Sequence, residues 1–336
     1  MKHAHTALAG AAVLALTLTG CAGGENPTPS GTDDAPGLLS TVTDTIYGAI
    51  EIPQPEDGEL TVVALGWSDA EVALALGVAP VAVFDWQGFG AESKGVGPWA
   101  TERFGDQTPT IIQNVGDALD YETIETLDPD LILNTRAAAD EAVFARLSSI
   151  APTVYAPAGT ADYGTSWDVQ TTQIAQALGE ADKGAELITS VESAISDAAA
   201  AHPEFAGKTA VSGTKFGDAY GAYIAGDFRW DLLESLGFVQ NPPVLDLETS
   251  GFYAPVSAEQ IGAFDADIAT FFPIGYTLDD LLADPLIASL AVVRDERTVF
   301  LEAGDELTGA FSAASPLSIP IAVDGLVPQL AEKLTP

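Results

Sequence analysis

Histidine, cysteine and methionine, the residues that most often hold or transform a metal, are nearly absent from this chain. His3, His5 and His202 are the only histidines, Met1 the only methionine and Cys21 the only cysteine. Free zinc or manganese sites draw several histidine and carboxylate ligands onto one ion. Once the first twenty residues are set aside, His202 is alone and followed by Pro203. Haem iron takes an axial His, Tyr or Met, which leaves only tyrosine here. Catalytic patterns are equally thin. Residues 88–93 imitate a dinucleotide fingerprint but lack its third glycine. No Walker loop, G-x-S-x-G elbow or H-E-x-x-H motif occurs. A Ser-His-Asp triad would have to use His202. A secreted hydrolase is thus the weaker reading, and no catalytic residue, metal ligand or cofactor is assigned.

What remains suits non-covalent capture. Trp67, Trp86, Trp99, Tyr220, Tyr223, Tyr253 and Tyr276 can wall a ligand, and Arg136 and Arg229 can donate charged hydrogen bonds to acceptor oxygens. Each has an ordinary alternative. Trp86 could be core, although Gly88 and Gly90 behind it favour a loop. Arg136 could form a surface ion pair. Arg229 could pair with Asp227 or Asp231. Tyr220 and Tyr223 are three apart, so they cannot both face one side of a strand. The chain carries 49 acidic and 12 basic residues, a net charge of −37, which repels nucleic acid and anionic headgroups. The surplus could select cationic or neutral ligands, but solubility or a generally acidic proteome is the simpler reading.

The elements that must position these residues follow from the apolar pattern. Residues 7–19 form an apolar run of signal-peptide length, too short to span a bilayer as a helix. The run closes on Leu18-Thr19-Gly20-Cys21, which has the form of a lipobox. Residues 1–20 are therefore expected to be a signal peptide, Cys21 the lipid-bearing residue, and 21–40 a flexible Gly/Pro/Ser/Thr-rich tether. With Cys21 so used, the mature fold has no disulfide. Strands are expected at 60–65, 81–84, 131–133 and 153–155, with short helices at 69–76, 121–127 and 141–147 between them. A second set has strands at 209–213, 223–225, 268–272 and 298–301, and helices at 230–236, 258–264, 277–282 and 320–334. Between the sets, Ile174, Leu178, Ala181, Ala185, Ile188, Val191 and Ile195 recur at spacings of three and four. Gly179 and Gly184 divide that stretch into two helices. The expected fold is α/β: a lobe over 41–165, bridging helices over 166–202, a second lobe over 203–336, and a ligand cleft between the lobes.

Several strings in this order carry a resemblance. They are 43–48 (TDTIYG) with 51–53 (EIP), 62–66 (VVALG) with 75–78 (ALGV), 127–133 (LDPDLIL), 150–154 (IAPTV), 256–260 (VSAEQ) and 265–268 (DADI). Together, behind a lipobox, they resemble the helical-backbone solute-binding proteins of ABC importers for ferric siderophores, haem and vitamin B12. The resemblance covers about residues 41–330. Residues 66–69, 85–88 and 164–167 look most like siderophore binders of Gram-positive bacteria.

The resemblance implies a lipid-anchored, monomeric receptor on the outer face of the cytoplasmic membrane, touching the membrane through its anchor only. Its partners would be an ABC permease dimer with its ATPase subunits. It places Tyr253 at an aromatic cleft position, and puts the two permease-docking carboxylates at Glu141, with Asp140 as a substitute, and Glu259. The implied ligand is a ferric siderophore, with haem or cobalamin as the alternative. A ferric tris-catecholate carries about three negative charges and needs several cationic side chains around it. So few cations favour a hydroxamate, which is near neutral or cationic.

Overall fold

The structure is a computed structural model and describes residues 37–115 and 118–334. The expected signal peptide, Cys21 and most of the tether lie outside the described residues.

The first lobe is built on a five-stranded, wholly parallel sheet. Its strands run, from edge to edge, Thr110–Ile112, Ala82–Phe84, Val62–Ala64, Leu131–Asn134 and Thr153–Tyr155. Val62, Val63, Leu131, Ile132 and Leu133 are completely buried. Strands covered on both faces read as unbroken apolar runs, which is why these were legible in the sequence. In chain order the strands occupy positions 3-2-1-4-5, so the order reverses between Val62–Ala64 and Leu131–Asn134. Open α/β sheets bind ligands outside the carboxyl ends of strands at such a reversal. A hairpin of Leu38–Val42 and Ile50–Pro53 seals one end, placing Val42 and Ile52 in the same core as Val62 and Leu131.

The second lobe holds a mixed six-stranded sheet. Its main path is Tyr253–Val256, Ala219–Tyr223, Thr209–Phe216, Ile268–Ile274 and Thr298–Phe300, with Val239–Gln240 pairing alongside Thr209–Phe216. Residues 223–225 were expected as a strand, but the strand ends at Tyr223. The Gly221-containing segment has weak strand propensity of its own and is held by antiparallel pairing on both sides. Ala258–Phe264 is a 3-10 helix. Glu306–Ala313 is a helix that the apolar pattern did not reveal.

The stretch between the lobes is two helices, Trp167–Ala177 and Ala181–Ala201, broken at Gly179 with φ 73°. In the first, Ile174, Ala175, Ala177 and Leu178 are core residues of the first lobe, while Trp167 at its start packs on the second-lobe core. Along Ala181–Ala201, Leu187 packs on the first-lobe core while Val191 and Ile195 enter the second. The helix is 21 residues long, or roughly 30 Å. A Cβ on Gly184 would lie 2.4 Å from the Cβ of Ala175, so glycine there lets the two helices pack closely. No helix among the described residues is long and apolar enough to cross a membrane.

Candidate ligand-binding cleft

The strand reversal in the first lobe delivers two loops side by side: Gly66-Trp67-Ser68 after one strand and Thr135-Arg136 after the other. Asp69, completely buried, binds them together. Its carboxylate accepts from the Gly66 and Thr135 amides, both at 3.0 Å, from the Thr135 hydroxyl, and from Gln170 Nε2 at 2.7 Å. A Cβ on Gly66 would fall 2.3 Å from Asp69 Oδ2 and 2.9 Å from the Arg136 nitrogen, so only glycine fits. Ser68 takes a left-handed conformation at φ 63°, of the kind that collects at functional sites.

Trp67 is the middle ring of a three-ring stack. Trp86 lies at 4.5 Å on one face and Tyr163 at 4.4 Å on the other. Trp67 therefore offers a ligand only its edge, while Trp86 stacks on one ring and is half-buried. The loop carrying Trp86 is tied by Asp85, whose carboxylate accepts from the amides of Gly88, Phe89 and Gly90 at 2.7–2.9 Å.

Arg136 is buried, with 4% of its surface exposed. Its Nε donates to the Tyr163 carbonyl at 3.2 Å and its Nη1 to the Ala313 carbonyl, in the second lobe, at 3.0 Å. The carbon at the centre of the guanidinium lies 5.8 Å from the Trp67 ring. Arg136 forms no ion pair among the described residues. Burial lowers its guanidinium to about 10, offset in part by Asp227, so it remains a cation at neutral pH. With Trp67, Tyr121, Asn134 and Tyr163 it lines a pocket of about 300 Å³ in the first lobe.

The second-lobe candidates are placed differently from expectation. Arg229 is buried and neutralised: Asp227 accepts from its Nε at 2.7 Å and its Nη2 at 2.6 Å, and the Tyr223 hydroxyl accepts from Nη1 at 2.9 Å. Burial would raise the Asp227 carboxyl, but the charge and hydrogen bonds of Arg229 outweigh it and hold the acid below its usual range. Tyr223 is itself core, stacked on Phe272 at 5.8 Å with the Arg229 guanidinium carbon 3.6 Å from its ring. Tyr220 points to the opposite core, as the odd spacing requires, and its hydroxyl donates to Asp284 at 2.6 Å. Tyr223 is enclosed in its core, whereas Tyr220 also lines a surface pocket with Asp218, Val256 and Ser257. Tyr253 is half-buried, paired in register with Tyr223, and set edge-on to Phe216 at 6.1 Å. Trp99 is a brace: its Nε1 donates to buried Glu71 at 2.7 Å.

Glu141 and Glu259 are exposed carboxylates in the first turns of Glu141–Ser148 and Ala258–Phe264, one on each lobe. Asp140 caps the former helix, accepting from the Ala142 and Val143 amides. That leaves Glu141 as the outward acid of the pair.

Sequence reasoning missed Tyr163, although it directly precedes the string 164–167 that resembles siderophore binders. It also missed Asp69 and Glu71, whose signal was present: two acids inside the otherwise apolar helix Asp69–Ala75. Among the described residues no group of three or more His, Cys, Asp or Glu is placed to hold a metal ion.

Comparison with known proteins agrees with this architecture. A probable siderophore-binding lipoprotein, YfiY of Bacillus subtilis (strain 168), is 30% identical over 220 residues, 63% of this chain and 62% of the relative's length. A periplasmic solute-binding protein from Mycobacterium smegmatis superposes with a TM-score of 0.74 at 33% identity, covering 88% of this chain and 99% of that one. PiaA of Streptococcus pneumoniae TIGR4, solved in complex with ferrichrome, gives 0.73 at 25% identity, covering 87% and 98%. The family model described as periplasmic binding protein matches residues 62–303, most of the two lobes, and the chain belongs to that family.

Proposed function

We propose that this protein is an extracytoplasmic receptor that captures a ferric siderophore and delivers it to an ABC permease for iron uptake. The observation that carries this reading is Arg136: a buried, unpaired cation set beside the Trp86–Trp67–Tyr163 stack, at the strand reversal where such sheets bind ligands. A buried charge without a partner is costly, and an acceptor brought by a ligand relieves that cost. In a ferric siderophore the iron-bound oxygens keep partial negative charge, so Arg136 donates to them while Trp86 covers the apolar rim. The siderophore fills the iron's coordination sphere, and the protein supplies none of its ligands. Tyr253, half-buried, is the second-lobe counterpart, and Arg229 acts through the ring cluster it supports. Because Arg229 is already neutralised, the cleft suits a hydroxamate better than a tri-anionic catecholate. The relatives named for siderophore or ferrichrome binding support the ligand class.

The same reading makes residues 1–20 a signal peptide and Cys21 the lipid anchor on the outer face of the cytoplasmic membrane. Glu141 and Glu259 become two separated negative points that orient the receptor, a monomer, on arginines of the permease dimer. Tryptophan-fluorescence titration with ferric hydroxamates, ferric catecholates, haem and cobalamin tests the ligand class. A ferric hydroxamate should quench at submicromolar concentration. Quenching by haem or cobalamin alone overturns the siderophore assignment.

A further inference from the structure

We infer that Ser68, Glu71 and Ser315 are positioning residues that pin the second lobe to the ligand-facing loops of the first; the inference rests on the cleft reading proposed above. The second lobe contributes the turn 313–318 that follows helix Glu306–Ala313. Ala314 closes that helix in a left-handed conformation at φ 53°, which turns the chain into the first lobe. There the Ala313 carbonyl accepts from Ser68 Oγ at 2.7 Å and from Arg136 Nη1 at 3.0 Å. Two residues on, the Ser315 hydroxyl donates to Glu71 Oε2, which also accepts from Trp99 Nε1. Ser315 is completely buried and Glu71 is 2% exposed. Leu317 packs on the first-lobe core around Leu74 and Val83, and Gln87 Nε2 donates to the Gly309 carbonyl at 3.2 Å.

These bonds converge on the loops that form the candidate site. Ser68 directly follows Trp67, Gln87 directly follows Trp86, and Arg136 is the unpaired cation itself. Parting the lobes at this turn would strip a donor from a buried carboxylate and leave the Ser68 and Arg136 donors open, which a buried polar network resists. The two walls of the cleft therefore have one preferred separation. The direction of the Arg136 guanidinium is set in part by a carbonyl of the other lobe. A ligand held by Arg136 and the seating of the turn are thus thermodynamically linked, each strengthening the other.

The test uses the full chain with Cys21→Ser, carrying nitroxide labels on Glu122→Cys and Asp279→Cys, exposed positions on opposite lobes. Interlobe distances are measured by double electron–electron resonance, and affinity for a ferric hydroxamate by fluorescence. Ser315→Ala and Ser68→Ala attack the tie from its two sides, so failure of one to fold does not remove the test. Each should broaden the distance distribution and raise Kd at least fivefold, with circular dichroism showing a native fold. A distribution as narrow as the parent's overturns the inference. So does a broadened one with Kd within twofold, which would make the tie structural only. Should the parent bind haem or cobalamin instead, the siderophore reading fails, and the same comparison made with that ligand decides the positioning role.

Discussion

Asp69→Ala should destabilise the protein by about 3 kcal/mol and weaken ligand binding with it. The carboxylate receives four donors. Two of them can adjust when it is removed, because the Thr135 hydroxyl rotates and Gln170 keeps its bond to the Trp67 carbonyl at 2.8 Å. The Gly66 and Thr135 amides cannot, since both are fixed by the strands they follow. An orphaned buried donor costs about 1–3 kcal/mol, so two cost about 2–6. Burial pushes the Asp69 carboxyl up, against the pull of its hydrogen bonds. Removing a desolvated acid returns part of the loss, which brings the expected figure to about 3 kcal/mol. At roughly 2 °C per kcal/mol for a domain of this size, the melting temperature should fall by about 6 °C. Asp69→Asn is the control: its amide oxygen, placed where Oδ2 lies, still accepts both backbone amides, so its cost should be nearer 1 kcal/mol. Urea unfolding followed by circular dichroism measures the difference. Because the two amides set the loops that carry Trp67 and Arg136, ligand affinity should fall about tenfold in Asp69→Ala, equivalent to about 1.4 kcal/mol. Equal destabilisation by Ala and Asn, or a loss under 1 kcal/mol for Ala, would refute the role assigned to this acid.

Four further outcomes are expected. Trp86→Ala and Arg136→Ala should each weaken binding of a ferric hydroxamate by about 1–3 kcal/mol, the size of a lost aromatic contact or charged hydrogen bond; titrations unchanged in both would remove the cleft from consideration. Asp231 is raised from 3.8 to about 6, first by burial and then by Asp227, Glu234 and Asp168. An acid raised in the fold loses stability as pH rises from 3.8 to 6, so Asp231→Asn should stabilise by about 1–2 kcal/mol at pH 7.5, after discount for its partial exposure, and by nothing near pH 3.5. Thermal melts at both pH values check the sign. Glu141→Ala combined with Glu259→Ala should leave ligand affinity intact and sharply lower iron-siderophore uptake by cells; normal uptake would exclude both as docking points. Mass spectrometry of the native protein should find Cys21 N-terminal and lipid-bearing, and Cys21→Ala should yield only uncleaved or lipid-free chains.

The sequence by itself determined the architecture, because its signals are local. Fully buried parallel strands such as Leu131–Asn134 read as unbroken apolar runs, and helix Ala181–Ala201 shows its stripe over more than five turns. Both lobes, the helix between them and the broad family were therefore legible, and Trp86 and Arg136 could be placed after first-lobe strands. The site's electrostatics were not legible, because pairing and burial are decided between distant residues. Asp227, two residues from Arg229, was visible as its candidate partner, but nothing local showed that Arg136 would be buried with no ion partner among the described residues. The asymmetry arises because Asp227 caps Arg229's own helix, whereas Arg136 meets only carbonyls. Nor could spacing reveal that Tyr163 covers the second face of Trp67 or that Asp69 is an internal acceptor. Least visible was the turn at 313–318, whose bonds to the first lobe span 244 and 245 residues of sequence. Only the folded chain brings Ser315 to Glu71 and Ala313 to Ser68, and those contacts come from the packing of one lobe on the other.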